Sequence, residues 1–395
     1  MVHVELDRVG TTFTQVAQAY WPVLLISFAV SLIVTPLCCR IALSRGIVDQ
    51  PDQFLKPHGK PVPYLGGAAI FAGWAAGVLL ALFLFDRGKI EPNAAREGPT
   101  IVFTMMLGIL IAGLAALIIG LLDDLRSLSP RAKLIGITLV TVLLIAVGLG
   151  NDSIVIALRA SRIRLTELDP WLVLIYSVPL TLLITLGACN ATNLIDGLDG
   201  LCSGVLGIIS AGFLILSVHL HLWNQWNPLD VQRVVLSLAM MGAALGFLPY
   251  NRNPAKIFMG DAGSMFLGLN AAVLILLFSK SAAIRWFLAS LMVFGLPITD
   301  TVLTLVRRWR HQKPLMQGDR SHFYDQLVDR GWSVRRVVRV SYGLAAFFAL
   351  MGCISITLRT RYIIPLYGLV VVLTMGIIKR HRMLRVDRAT SQTPP

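Results

Sequence analysis

The chain is poor in charge and poorest in acid. Asp and Glu number 21 against 35 Lys and Arg, and the four together make up only 14% of 395 residues. So small a charged fraction excludes a disordered chain and cannot cover the surface of a soluble protein of this size. Cysteine is scarce as well. The five, Cys38, Cys39, Cys189, Cys202 and Cys353, lie in or beside apolar runs without C-x-x-C spacing, which excludes a disulfide framework and a thiolate zinc site. A cleavable signal is missing too: residues 1–20 hold one Lys/Arg, Arg8, and the first apolar run passes into Arg40 and Arg45 without an A-x-A site. The apolar runs do not alternate, which excludes a membrane barrel. No short-period repeat and no soluble domain interrupts them.

What remains is apolar sequence. Hydrophobic residues make up 56% of the chain and the mean hydropathy is +0.73. They form about eleven runs of roughly 16–24 residues, each long enough for a hydrocarbon core about 30 Å thick. Their bounds are about 21–43, 64–85, 100–122, 133–149, 171–189, 201–220, 233–249, 263–279, 284–306, 340–358 and 362–378, the seventh and eighth being shortest. The expected fold is an all-α polytopic membrane protein of about eleven transmembrane helices.

The net charge of +14 borders these runs instead of forming one basic stripe, which argues against nucleic acid as a partner. Nine Lys/Arg fall in 307–339 and five in 379–395. The positive-inside bias then sets the N-terminus outside and the C-terminus in the cytoplasm. The expected organisation is an external segment 1–20, a transmembrane catalytic domain 21–378 and a basic cytoplasmic tail 379–395. On the outer side, 150–170 alternates around Ile154–Leu165 and reads as a small hairpin.

Parity gives a check that depends on no motif. The loops after the first, third, fifth, seventh and ninth runs share one side, about 44–63, 123–133, 190–200, 250–262 and 307–339. They contain Lys56-Pro57-His58, Asp123-Asp124, Asn193 through Asp199, Asn251 through Asp261, and Arg320 through His322. The opposite loops hold nothing so dense. Carboxylates and carboxamides crowded at a membrane boundary need water, metal or substrate as partners.

Each cluster has a chemistry and a plainer alternative. Adjacent Asp123 and Asp124 can raise one another's pKa or bind a cation, so one can serve as a base, and Lys133 can meet a phosphate as a point charge. The alternative is a solvated turn in which Ser129-Pro130 starts the next helix. Asn193, Asp196 and Asp199 recur every three residues, roughly one face of a helical turn, and their oxygens suit Mg²⁺; capping needs fewer such residues. Asp261, after Gly260, is placed as a ligand or a cap at a helix start, with Asn251 and Lys256 as nucleotide contacts. Arg320 can clamp a phosphate and His322 can donate to one. Asp300, in Gly-Leu-Pro-Ile-Thr-Asp, is an intramembrane carboxylate to which the sequence assigns no chemistry.

Together DDLRSLSPRAKL, NATNLIDGLDGL and NRNPAKIFMGDAGS resemble the polyprenyl-phosphate N-acetylhexosamine-1-phosphate transferases, over about residues 45–335. That family includes the undecaprenyl-phosphate GlcNAc-1-phosphate transferases and the phospho-MurNAc-pentapeptide transferases. The resemblance implies ten or eleven transmembrane helices with a cytoplasmic site in the bacterial inner membrane. It implies transfer of a sugar 1-phosphate from a UDP-N-acetylhexosamine to undecaprenyl phosphate, releasing UMP, with Mg²⁺ as cofactor and Mn²⁺ as a substitute; it also admits a homodimer. Carried over by position, Asp123 is the base or nucleophile with Asp124 beside it, Asn193 and Asp261 are metal ligands, and Lys133 is a phosphate contact. Asp196, Asp199 and Asn251 are nucleotide-side or structural partners, and Arg320 and His322 belong to the loop that approaches the pyrophosphate. Many GlcNAc-type members carry His-x-His-His in that loop and the MurNAc-pentapeptide enzymes a His triplet. Here it reads His322-Phe-Tyr-Asp325, which points away from the peptidoglycan enzyme and toward the GlcNAc branch. The rival from another class is a transporter, which uses ionisable groups at broken helices near the bilayer centre.

Overall fold

The computed structural model describes residues 13–49, 61–86, 99–160, 169–223, 228–281, 283–312 and 322–380. The helices are α1 (Phe13–Ser44), α2 (Gly66–Asp86), α3 (Pro99–Arg126), α4 (Pro130–Ala146), α5 (Val155–Ala160), α6 (Pro170–Leu194) and α7 (Leu201–Trp223). They continue with α8 (Pro228–Asn251), α9 (Gly260–Ser279), α10 (Ile284–Val293), α11 (Gly295–Arg310), α12 (Phe323–Asp329), α13 (Val334–Thr357) and α14 (Thr360–Arg380). Two short strands, β1 (Val48–Asp49) and β2 (Val62–Pro63), pair antiparallel.

Every expected run is helical, and the chain is a multi-pass membrane protein; two of the about eleven expected spans take a different form. Among the described residues nine helices are long and apolar enough to cross a membrane, or ten if one bent pair is a single span. The 133–149 run becomes α4, only 17 residues long. The 284–306 run breaks into α10 and α11, bent by 70°. Phe294 closes one helix and opens the next. Pro297 follows at once, and a residue without an N–H cannot continue the ladder of hydrogen bonds through the break.

The small hairpin expected over 150–170 is corrected. Residues 155–160 form α5, and 161–168 lie outside the described residues. The turn before α5 is held on α6: Ser153 Oγ donates to the Ser177 carbonyl at 3.1 Å and the Ile154 N–H donates to Ser177 Oγ at 3.2 Å.

The two shortest runs form the centre. Every residue of α9 from Ala262 to Ser279 is buried, as expected of a helix apolar all round. It is packed by α2, α3, α6, α8 and α10; α1 lies on α2 and α8, and α13 on α7 and α10. The outer faces carry Ile33, Leu139, Leu183 and Ile364, all more than 60% exposed, a surface suited to lipid. Charge closes α9 at both ends. At its C-terminus the fully buried Arg233, ion-paired with Asp230, donates from Nε to the Leu277 carbonyl at 3.2 Å. At its N-terminus stands the carboxylate of Asp124. A cation on the last carbonyls and an anion on the first N–H groups both complement the helix dipole.

The parity argument meets a geometric answer at this N-terminal end. Tyr64, before α2, donates its hydroxyl to the Asp124 carbonyl at 3.1 Å. Asn253, after α8, donates to Asp199, after α6, at 2.9 Å. Tyr324, on α12, donates to the Leu194 carbonyl at the end of α6 at 2.6 Å. The described polar segments therefore gather at one end of the bundle.

Candidate active site

The site is built on the N-terminus of α9. Gly260 has φ +70°, and a Cβ there would meet Asp124 Oδ2 at 2.4 Å, so only glycine admits the carboxylate so close. Asp124, on the last turn of α3, accepts the backbone N–H of Asp261 at 2.8 Å on Oδ1 and that of Ala262 at 3.1 Å on Oδ2. Met259, the residue preceding α9, supplies no side-chain cap. The cap comes instead from another helix, and both oxygens of Asp124 are committed to it. Of the two neighbouring aspartates, Asp124 positions the helix.

Asp123 is 7% exposed. Its Oδ1 accepts the Leu128 N–H at 2.7 Å, and its Oδ2 is ion-paired with Lys133 Nζ. Lys133 stands in the first turn of α4, where Ser129 caps the helix by accepting the Ala132 N–H at 3.3 Å and Pro130 occupies the first turn. The same ammonium donates to Asp261 Oδ2 at 2.7 Å. Asp261 Oδ1 accepts Asn193 Nδ2 at 2.8 Å, and that amide also donates to Ser264 Oγ at 3.0 Å. Three helices thus bring Asp123, Lys133 and Asn193 onto Asp261.

The regular three-residue spacing of Asn193, Asp196 and Asp199 does not yield a shared face. The helix ends at Leu194, and Gly200 turns the chain with φ +76°. Asn193 looks to Asp261, whereas Asp199 Oδ2 accepts Asn253 Nδ2 at 2.9 Å and the Ala255 N–H at 3.0 Å. Asp196, half-buried between them, lies among Asp261, Asp124 and Asp199; burial first, then these carboxylates, raises its pKa well above the usual carboxylate range. Asn251 is 3% exposed and engaged at both ends of its amide. It accepts from the Gly200 N–H at 3.2 Å and Ser203 Oγ at 2.8 Å, and donates to the Ile257 carbonyl at 3.1 Å. Asp199 and Asn251 fasten the 195–200 turn to the 251–257 loop.

His322 is 4% exposed; its Nδ1 lies 2.7 Å from Asp300 Oδ2 and its ring stacks on Tyr324 with centroids 5.3 Å apart. Tyr324 also reaches the 195–200 turn, where a Cβ on Gly197 would lie 2.3 Å from its hydroxyl. Burial, followed by Asp325, Asp300 and Asp196, pushes the pKa of Tyr324 well up. From the far side, Tyr342 donates to the Gly200 carbonyl at 2.5 Å. Tyr342 carries no motif, Tyr324 entered the sequence reading only as a departure from the family's histidines, and Asp300 was visible only as an odd carboxylate in an apolar run. Arg320 and the Lys56-Pro57-His58 group lie outside the described residues.

Mg²⁺ fits this donor set. The carboxylates of Asp123 and Asp261 and the amide oxygen of Asn193 are hard oxygen donors, and an ammonium already lies between the two carboxylates as a cation would. Among the described residues no three His, Cys, Asp or Glu side chains form a ready metal cage. Magnesium does not ask for one, because it is held by one or two carboxylates together with water and substrate phosphates.

Residues 106–279 match the family profile described as glycosyl transferase family 4. The chain is 34% identical, over 84% of its own length and 83% of the relative's, to a probable undecaprenyl-phosphate N-acetylglucosaminyl 1-phosphate transferase of Bacillus subtilis. It is 34% identical to a decaprenyl-phosphate N-acetylglucosaminephosphotransferase of Mycolicibacterium smegmatis, over 78% of this chain and 76% of the relative. Likeness to the phospho-N-acetylmuramoyl-pentapeptide-transferase of Bacillus subtilis is 30%, over 83% and 94%. The chain belongs to glycosyl transferase family 4, within its polyprenyl-phosphate GlcNAc-1-phosphate transferase branch.

Proposed function

We propose that the protein transfers N-acetylglucosamine 1-phosphate from UDP-GlcNAc to undecaprenyl phosphate, giving the diphosphate-linked lipid sugar and UMP. The single observation that carries this reading is the junction of Asp123, Lys133 and Asn193 on Asp261 at one end of the bundle. Two polyanions must meet for this reaction, so the site needs fixed cations and oxygen ligands at the same place. The names of the relatives support the same reaction class. The pentapeptide transferase reading is the less favoured, by the lower identity of that relative and by the single histidine in the His322-Phe-Tyr-Asp325 stretch.

In this scheme an oxygen of the lipid phosphate attacks the phosphorus that bears the sugar. The bond from that phosphorus to the bridging oxygen breaks, and UMP leaves with the electron pair. Asp123 takes up the proton of the lipid phosphate, and Lys133 moves from its carboxylates to the transferring phosphate. Asp261 and Asn193 would hold Mg²⁺, whose chemistry is to neutralise the charge of the diphosphate. Asp124 keeps the start of α9, and with it Asp261, in register. The site end faces the cytoplasm of the bacterial inner membrane, where UDP-GlcNAc is available and the lipid phosphate arrives laterally. The product begins a cell-envelope polysaccharide.

Detergent-purified protein incubated with UDP-GlcNAc, undecaprenyl phosphate and Mg²⁺ should release UMP in proportion to lipid product. A protein that released no UMP from any UDP-N-acetylhexosamine, yet passed solutes across liposomes, would be a transporter instead.

A further inference from the structure

Asp300 stands on α11 just beyond the bend and is 2% exposed. A carboxylate buried so deeply is retained only where its oxygens are satisfied. Its Oδ2 accepts from His322 Nδ1 at 2.7 Å, and its Oδ1 accepts the Phe323 N–H at 3.1 Å. A carboxylate only accepts, so Nδ1 carries the proton and, in the neutral ring, Nε2 is the nitrogen with the free lone pair. Thr304 Oγ1, at 3.3 Å from Nδ1, is a weaker second neighbour on the same side. The ring plane is set independently, by an 8° stack on Tyr324, whose hydroxyl is anchored on the Leu194 carbonyl. The backbone N–H of His322 bonds Asp325 Oδ2 at 3.3 Å. Nitrogen, ring face and backbone are all held, and among the described residues Nε2 is the one ring nitrogen without a hydrogen-bond partner.

We propose that Asp300 is a positioning residue for the transfer: it sets the proton position and plane of His322 so that Nε2 meets a phosphate oxygen of the substrate. The proposal rests on the transferase reading above and extends it to a carboxylate that no motif marks. The bend between α10 and α11 has a function in this picture, since it brings an intramembrane acid to the loop that carries His322. In its protonated form the ring donates from Nε2 to the phosphate, and Asp300 itself touches no substrate. A residue acting in this way through another is worth about 10–100-fold in rate.

The test combines kinetics with the state of the ring. Asp300→Asn and His322→Gln should each lower kcat about 10–100-fold with KM for UDP-GlcNAc changed far less. The double variant should be no slower than His322→Gln by more than about threefold. A further loss comparable to that of Asp300→Asn alone would mean that Asp300 only supports the fold, and the proposal would fall. Nitrogen spectra of ¹⁵N-histidine-labelled wild type, with His322 assigned by its loss in His322→Gln, should show the neutral ring protonated at Nδ1. A neutral ring with its only proton on Nε2, and therefore none on Nδ1 for Asp300, would overturn the proposal, whether or not Asp300→Asn folds. Absence of UMP release from wild type would sink the transferase reading alone, and the ring measurement would still decide what Asp300 does.

Discussion

The ammonium of Lys133 lies between the carboxylates of Asp123 and Asp261, which reach it from the end of α3 and the start of α9. One flexible cation thereby bridges two acids whose oxygens would otherwise repel, offsetting one of their two charges. In the proposed reaction it occupies the position that phosphate and metal would take. Lys133→Met should lower UMP release at least about 100-fold. The same variant, measured by thermal unfolding in detergent, should gain more stability from added Mg²⁺ than wild type does, because the carboxylates have lost their resident charge. An unchanged turnover would remove Lys133 from the machinery.

Asp123 and Asp124 should separate in a stability assay. Asp124→Ala leaves two N–H groups of α9 without their acceptor, at a cost of about 1–3 kcal/mol, and should lower the unfolding midpoint by several degrees. Asp123→Asn should abolish UMP release while leaving the midpoint nearly in place. The reverse pattern would exchange the roles assigned to the two residues.

Metal binding can be read without turnover. Mg²⁺ at 100 times its dissociation constant stabilises a folded protein by about 2.7 kcal/mol. Wild type in EDTA should therefore unfold at a lower temperature than wild type in Mg²⁺, and Asp261→Ala should lose that difference together with UMP release. A variant that kept the full Mg²⁺ response would move the metal away from Asp261.

Asp196 gives a pH dependence of definite sign. Its pKa is raised in the folded protein, first by burial and then by Asp261, Asp124 and Asp199. The protonated acid is therefore the form the fold prefers. Its contribution is whole below the unfolded carboxylate value of about 3.9 and is lost as pH rises through the higher folded value. In EDTA, Asp196→Asn should unfold at a higher temperature than wild type at pH 8, with the gap closing toward pH 4. A gap that widened on acidification would contradict the assigned environment.

Gly197→Ala tests the tie between the last loop and the acidic turn. The new methyl would meet the Tyr324 hydroxyl at 2.3 Å and its ring at 2.6 Å, so the ring must move and the bond to the Leu194 carbonyl must stretch. Turnover and unfolding temperature should both fall. Loss of neither would show that the 195–200 turn tolerates displacement of Tyr324.

Much of this was legible in the chain. Continuous apolar runs bounded by Arg and Lys determine membrane helices, because hydrocarbon accepts only backbone whose hydrogen bonds are closed within the segment. The spacing of those runs put the polar clusters on one side before any contact was known. The outcome for single residues was mixed. Ser129-Pro130 announced the start of α4, whereas Asp124 beside Asp123 gave no sign that it caps a helix more than a hundred residues away. Equal three-residue steps from Asn193 to Asp199 suggested a common face that the end of α6 removes.

The sequence by itself determined the membrane class, the family and the set of acids, amides and cations that could form a site. Tertiary structure alone decided which of them share an atom: Lys133 with two aspartates, Asp199 and Asn251 with the backbone, and Asp300 with His322. The physical reason is range. Apolar periodicity and chain punctuation act over one helix or one turn and are written locally. A carboxylate's partner is chosen by which helix end the packed bundle brings within about 3 Å of it.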